Sequence, residues 1–503
     1  MATPRLPSDH FAVIIGSGFA GLGMGIALKR AGIDDFVVLE KAEAVGGTWR
    51  DNVYPGCACD VPSHVYSFSF EPNPRWSAKY STQPEIRRYI EHCTDKYDVR
   101  RHVRLGTLAT SADFDEGTGR WTVGTASGEH FTARVVGGGL GPISRWTLPP
   151  IPGLDRFEGR AFHSAGWDPS FDPQGKRVAV VGTGASAIQF VPELAKSAAR
   201  LHLFQRTPAW VMARPERDYS ELEKWLFERV PGLGSLHRRA LFWSLEAKGF
   251  GFVSDPRLLA WAERFAVANL YRSIKDPALR AKLRPRYRMG CKRILMSNTY
   301  YPALARSNVE VITDGIREVT PGGVVGNDGV ERPVDAIVFG TGFDVHDYLG
   351  ALRCRGRGGR DLGAIWAEQG AAAYLGTTIA GFPNFFTIIG PNTGLGHNSI
   401  IFMIESQIGH IMRCIEVLRA APGASLEVRE DVQRAYNEEI QRRLAATVWS
   451  TGCASWYLDA RGRNTTLWPG YCYQFRRAAR RFDLGDYQLV RGAEVGQGAP
   501  RAG

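Results

Sequence analysis

Nowhere does the chain carry an uninterrupted apolar run of about eighteen residues, the length a membrane-crossing helix needs. Its opening residues, MATPRLPSDH, also lack the basic-then-apolar plan of a secretory leader. Together these absences predict a soluble, cytoplasmic protein with no membrane partner. The eight cysteines include no Cys-x-x-Cys pair, so neither a zinc site nor a thioredoxin-like redox pair is indicated and no metal is expected. Cys57 and Cys59 are too close for an ordinary disulfide or a standard metal knuckle, and reduced thiols fit best. Charge of one sign is not gathered in any long block either, although 62 Lys and Arg against 51 Asp and Glu leave a net charge of +11. The densest cluster, Arg476-Arg477-Ala478-Ala479-Arg480-Arg481, reads as a solvated helix face, so no nucleic-acid partner is expected. A basic balance also suits an enzyme that holds polyanionic dinucleotides.

What is present begins with 503 residues, too many for one ordinary core, so two or three domains are expected. A short apolar run, Phe11 to Ile15, leads into Gly16-Ser17-Gly18-Phe19-Ala20-Gly21 and then a helix-compatible stretch. This is GxGxxG in strand, turn and helix context, where glycines let backbone N–H groups approach a pyrophosphate. A second strand, Phe36 to Leu39, ends at Glu40, whose carboxylate can accept from ribose hydroxyls. Beyond it lies Gly46-Gly47-Thr48-Trp49-Arg50-Asp51-Asn52-Val53-Tyr54-Pro55-Gly56-Cys57-Ala58-Cys59-Asp60. Its glycines and Pro55 argue against a regular helix, so it is read as a loop placed to continue along the same bound molecule.

The pattern then repeats. After a Pro-rich linker at Pro149 to Gly153 comes a segment with His163, Trp167 and Asp168. A second strand, Arg177 to Val181, precedes Gly182-Thr183-Gly184-Ala185-Ser186-Ala187, and strand Leu201 to Phe204 follows. This unit closes on Gln205-Arg206-Thr207 in place of an acid. Arg206 can pair with a 2′-phosphate and Thr207 can donate to it, so the first site suits FAD or NAD and the second NADPH. Residues 216–288 carry Trp, Leu, Arg and Glu at helical spacing and read as a helical insertion whose aromatics pack inward. Helices are also expected at 85–97, 399–419 (capped by Asn398 or Ser399) and 429–446, and the tail from Gly492 is expected to be disordered.

Gly46-Gly47-x-Trp49 with Tyr54-Pro55-Gly56 and Asp60, and Phe157-x-Gly159-x-x-x-His163-x-x-x-Trp167-Asp168 between two GxGxx(G/A) units, resemble a type I Baeyer–Villiger monooxygenase of the flavin-containing monooxygenase superfamily. The resemblance covers nearly the whole chain. It implies an α/β fold of two Rossmann-like dinucleotide-binding domains, for FAD and NADP, with the helical insertion in the NADP domain. Residues 1–148 and 370–503 would form the FAD-binding domain, 149–215 and 289–369 the NADP-binding domain, and 216–288 the insertion. It also implies FAD, NADPH, dioxygen and a small-molecule ketone, with a peroxyflavin converting the ketone to an ester or lactone.

By the same resemblance, Arg293 is the active-site arginine and Asp60 its carboxylate partner. Gly16, Ser17, Gly18, Gly21, Glu40, Gly47, Thr48, Trp49 and Tyr66 would face FAD. Gly182, Thr183, Gly184, Ser186, Ala187 and Gln189 would line the NADPH pyrophosphate, and Arg206, Thr207 and Lys292 its 2′-phosphate. Trp456 would lie on the nicotinamide side, and His163 would link domains rather than donate a proton. The chain departs from the common family pattern at Gly139-Leu140-Gly141 and at Gly340. Two other functions stay open at this point: oxidation of nitrogen or sulfur centres by a related flavin monooxygenase, and a dinucleotide-binding module without turnover. Oligomeric state is not legible.

Overall fold

A computed structural model describes residues 8–453 and 455–491. The tail from Gly492 lies outside the described residues. Two separate sheets, each carrying one of the glycine motifs, organise the chain. The first runs Arg353–Arg355, Ala109–Asp115, Arg120–Thr125, His130–Gly138, Asp9–Ile15, Phe36–Leu39, Val103–Arg104, with Phe385–Thr387 also pairing His130–Gly138. Its central strand Asp9–Ile15 is parallel to both neighbours and buried along nearly its whole length, which explains its continuous apolar run. The second sheet is entirely parallel, in the order Val309–Ile312, Arg200–Phe204, Arg177–Val181, Ala336–Phe339, Arg160–His163. In each sheet the glycine turn opens a helix, Phe19–Arg30 in the first and Ala187–Ser197 in the second.

The helices expected from periodicity are Gln83–Lys96, Ile400–Ala420 and Glu430–Ala445, with Ser399 capping the second by accepting from Ile401 N. Residues 216–288 fold into Glu221–Arg229, Leu233–Val253, Leu259–Ser273 and Pro277–Leu283. Ser220 and Glu223 form a reciprocal capping box, and Asp276 caps the last of the four.

Four expectations need correction. The Gly46 to Asp60 stretch contains one helical turn, Thr48–Asp51, because Gly46 (φ 128°) and Gly47 (φ 51°) take up the backbone reversal ahead of it and Pro55 lies beyond its end. The chain returns to the first sheet by Arg353–Arg355, earlier than the 369/370 boundary, since that strand pairs with Ala109–Asp115. In the insertion, Trp225, Trp243, Trp261 and Phe265 face solvent instead of packing inward. Helical spacing shows which residues share a face, but not which face turns to the core.

The fourth correction is a disulfide, Cys291–Cys453, which joins positions 162 residues apart; the other six cysteines are free and buried. Cross-linking so long a loop typically stabilises a fold by about 2–4 kcal/mol. Thiol titration of enzyme unfolded without reductant is therefore expected to find six groups, rising to eight after reduction. Cys453→Ser is expected to lower unfolding stability by a similar about 2–4 kcal/mol. Eight reactive thiols without reductant would show that the bond does not form.

Candidate active site

The first glycine motif is built as a cradle. A Cβ at Gly16 would sit 2.6 Å from Gly139 O, and one at Gly21 would collide with Gly16 O, so these two glycines are fixed by backbone packing. Gly18 differs, because its nearest neighbour would be Gly47 Cα at 3.7 Å and the space above it is open. No side chain caps the helix that follows, so its first N–H groups point at that space, a ready anion site. Glu40 closes the cradle with a buried carboxylate that accepts from Ser17 N (2.9 Å), Ser17 Oγ (2.6 Å) and Ala42 N (3.0 Å) and pairs with Arg50 (2.8 Å). These contacts fix the carboxylate at the end of the strand, where a ribose hydroxyl would meet it. Beyond Gly47 and Thr48, Trp49 Nε1 donates to Tyr66 Oη at 3.1 Å with the rings edge-on, and Gln83 Nε2 donates to Trp49 O. These residues fit a flavin dinucleotide.

The second cradle repeats the plan. A Cβ at Gly182 would collide with the Gly340 carbonyl, whereas at Gly184 it would meet nothing closer than 3.9 Å. Ser186 precedes the helix without a capping bond and Ala187 is fully buried. A Cβ at Gly340 would lie 3.2 Å from Ala187 Cβ, a tight contact that small shifts of the neighbours would have to absorb. Arg206 and Thr207 line a cavity of about 630 Å³. Thr183 Oγ1 donates to Thr207 O at 3.1 Å, tying the glycine turn to that cavity. Lys292 stands 5.1 Å over the Tyr287 ring, and burial with the charge of Arg206 lowers its pKa. Arg284 and Arg286, from the end of the insertion, line the same cavity and were not anticipated. Gln189 turns elsewhere, because its amide donates to Ala58 O (2.9 Å) and accepts from Tyr54 Oη (3.0 Å). It ties the second cradle to the opening loop.

Asp60 and Arg293 meet from opposite halves of the chain, with Arg293 Nη2 donating to Asp60 Oδ2. The loop holding Asp60 is stitched down by Cys59 N to Ser81 O (2.9 Å) and Ser63 N to Lys79 O (2.8 Å). Arg293 precedes Leu295–Met296, which pairs in parallel with Val211–Met212, and the Cys291–Cys453 bond anchors it on the other side. The same two-strand ladder brings in Arg214, whose Nη2 donates to Cys59 O at 2.9 Å and whose guanidinium lies 4.6 Å over Tyr80. Burial alone would push the Asp60 carboxyl up, but the charge and hydrogen bond of Arg293, with Arg214 behind them, hold it below the usual carboxylate range. Asp60 in turn raises Arg293 further above its ordinary value. The pair is not closed off: 41% of the Arg293 side chain and 32% of Asp60 are open to water, so a reacting molecule can reach it.

Arg214 and Tyr457 were missed in the sequence. Burial pushes the Tyr457 phenol up to about 12 while the Arg293 charge pulls it back, so Tyr457 is a neutral hydroxyl within the electrostatic reach of that charge. The one available signal was the Trp456-Tyr457 doublet. Trp456 is 44% exposed and Tyr457 2%, with their rings 4.3 Å apart.

His163 is fully buried between the two chain crossings that join the sheets. Its ring stacks on Trp146 at 4.9 Å and meets Phe343 edge-on at 5.8 Å, and Asp344 N donates to Arg145 O where those crossings pair. Nδ1 accepts from Ala165 N, and burial pushes the imidazole down to about 4. The unfolded chain binds that proton near the ordinary value of 6.5 and the folded one does not until about 4. Stability is therefore expected to fall as pH drops from 6.5 toward 4. Urea midpoints at pH 7 and pH 5 check this: His163→Gln should narrow the difference, and an unchanged difference would remove His163 as its source.

Among the described residues one cluster has metal-ligand character, Glu246, His397 and Cys472, with ligand atoms within 4.8 Å of one another. Glu246 already accepts from Asn398 Nδ2 (2.7 Å), Cys472 N and Tyr473 N. The carboxylate thus caps helix Cys472–Arg480 and ties the insertion to it, which is a structural use.

The family profile described as FMO-like, flavin-binding monooxygenase-like, matches residues 10–233. A Baeyer-Villiger monooxygenase of Pseudomonas aeruginosa is 50% identical over 490 residues, covering 97% of this chain and 93% of its own. Another, from Streptomyces coelicolor, is 51% identical over 506 residues, covering 100% of this chain and 97% of its own. Among solved structures, cyclohexanone monooxygenase from Rhodococcus sp. Phi1 bound to NADP+ superposes with a TM-score of 0.86 at 29% identity, over 97% of this chain and 100% of that one. An OTEMO complex with FAD and NADP gives a TM-score of 0.86 at 28% identity, over 96% and 99%.

Proposed function

The chain belongs to the Baeyer–Villiger monooxygenases, and we propose that its Arg293–Asp60 pair is the element that commits it to ketones. It is an NADPH-dependent flavoprotein monooxygenase that uses dioxygen to convert ketones to esters or lactones. Bound FAD, reduced by NADPH, activates dioxygen and supplies the inserted oxygen atom. The open space over Gly18 and the uncapped helix behind it would hold the flavin's pyrophosphate, and Gly184 with Ser186 that of NADPH. Arg293 presents a permanent positive charge to the oxygen anion that develops on the ketone carbon, and it cannot quench a reacting anion by giving up a proton. Asp60 fixes the direction of that guanidinium, and Tyr457 offers a neutral hydroxyl within the reach of its charge. His163, held neutral between the two crossings, couples the movement of the domains.

The observation that carries this reading is the water-accessible ion pair built from residues 233 positions apart. Oxidation of a nitrogen or sulfur nucleophile needs no such cation at a carbonyl carbon. The test is NADPH consumption with product analysis over cyclic, aryl and linear ketones and one thioether. Ester from at least one ketone supports the reading, and sulfoxide without ester would replace it with heteroatom oxidation. No described helix is long and apolar enough to cross a membrane. Six free, buried cysteines support a cytoplasmic location, against which Cys291–Cys453 stands as the one oxidised pair among the described residues.

A further inference from the structure

The insertion exposes an apolar stripe that the catalytic reading does not use. On helix Leu233–Val253, Leu236, Trp243 and Phe250 recur every seven residues on the outer face, with Trp243 56% exposed. Past the turn, where Leu258 is 47% exposed, helix Leu259–Ser273 adds two more outward aromatics, Trp261 at 62% and Phe265 at 65%. Tyr473, also exposed, lies 5.7 Å from Trp243 and extends the surface onto helix Cys472–Arg480. Apart from Tyr271, which lies under Arg280, the other exposed side chains on the two insertion helices are small or basic: Arg239 and Lys248 on the first, Arg264 and Arg272 on the second. Their acids point elsewhere. Glu246 is buried in the knot with Asn398, and Glu263 accepts from Met289 N at 2.8 Å.

We propose that this face, centred on Trp243, Trp261 and Phe265, docks the enzyme onto an anionic lipid surface. Tryptophan and phenylalanine flanked by arginine and lysine suit the headgroup boundary, where rings sink among acyl chains and cations meet lipid phosphates. A second copy of the chain is disfavoured, because a two-fold contact would set this basic face against itself. The absence of long apolar runs rules out spanning helices only, and peripheral docking needs none. Docking would bring the active site close to ketones that partition into bilayers.

The test is co-sedimentation of the FAD-loaded enzyme with vesicles of phosphatidylglycerol and phosphatidylcholine, and with phosphatidylcholine alone. Binding is expected only to the anionic vesicles, with a blue shift in tryptophan emission and a several-fold loss at high salt. A Trp243→Ser, Trp261→Ser, Phe265→Ser variant should lose most of the binding while turnover of a water-soluble ketone is unchanged. Arg239→Glu with Arg264→Glu should lose it without the aromatic changes. No sedimentation of the wild type, or sedimentation indifferent to both variants, would overturn the proposal. So would a wild-type dimer in light scattering that the aromatic variant dissociates, since the face would then serve a second copy.

Discussion

Arg293→Ala is expected to abolish ester formation, by on the order of a hundred- to a thousandfold, while NADPH still bleaches the flavin absorbance. The guanidinium is the charge paired with Asp60, and among the described residues the other arginine reaching this loop, Arg214, is otherwise engaged. Arg214 cannot replace it, because its fork is engaged with Cys59 O and Glu216. Flavin reduction would draw on the second cradle and the cavity lined by Arg206 and Thr207, which the substitution leaves in place. Removal also leaves Asp60 without its main partner. Breaking a fully buried pair costs about 3–5 kcal/mol, but this pair is a third or more open to water, so the loss of stability should be a fraction of that. Arg293→Lys keeps a charge and loses the planar fork, and it should fall between the two. Wild-type ester yield from Arg293→Ala would end the assigned role.

Arg206→Ala is expected to raise KM for NADPH by roughly ten- to a hundredfold and to leave KM for NADH nearly unchanged. One charge-assisted contact to a 2′-phosphate is worth roughly 1.5–3 kcal/mol, and NADH has no phosphate there. Arg284 and Arg286 line the same cavity and Lys292 stands near Arg206, so some preference for NADPH should survive the substitution. Steady-state rates with both cofactors over a range of ionic strength check this. Equal effects on the two would remove the 2′-phosphate from this cavity.

Both nucleotide units were legible because they are local: apolar strand, glycine turn and helix fall within a short stretch, and the closing Glu40 or Arg206 follows at a fixed distance. The insertion was legible as helix for the same reason. Which way its faces turn was not, since Trp243 and Trp261 look like core residues until the neighbouring helices are placed. Asp60 and Arg293 came together only through family resemblance, because no local pattern joins residues 233 positions apart. Arg214 and the Cys291–Cys453 bond depend on the ladder between Val211–Met212 and Leu295–Met296 and on the docking of the segment around 453, and neither leaves a mark in composition or spacing. Gln189 was named only through family resemblance, and its bonds to the opening loop, made from the first turn of the second motif's helix, leave no mark in the local pattern.

Turnover of a ketone under ¹⁸O-labelled dioxygen, in unlabelled water with NADPH, tests the central claim most directly. One labelled oxygen in the ester or lactone, inserted between the former carbonyl carbon and its neighbour, is the result predicted for a site built on Arg293 and Asp60. Unlabelled product, or labelled sulfoxide from a thioether with no ester from any ketone, would contradict it.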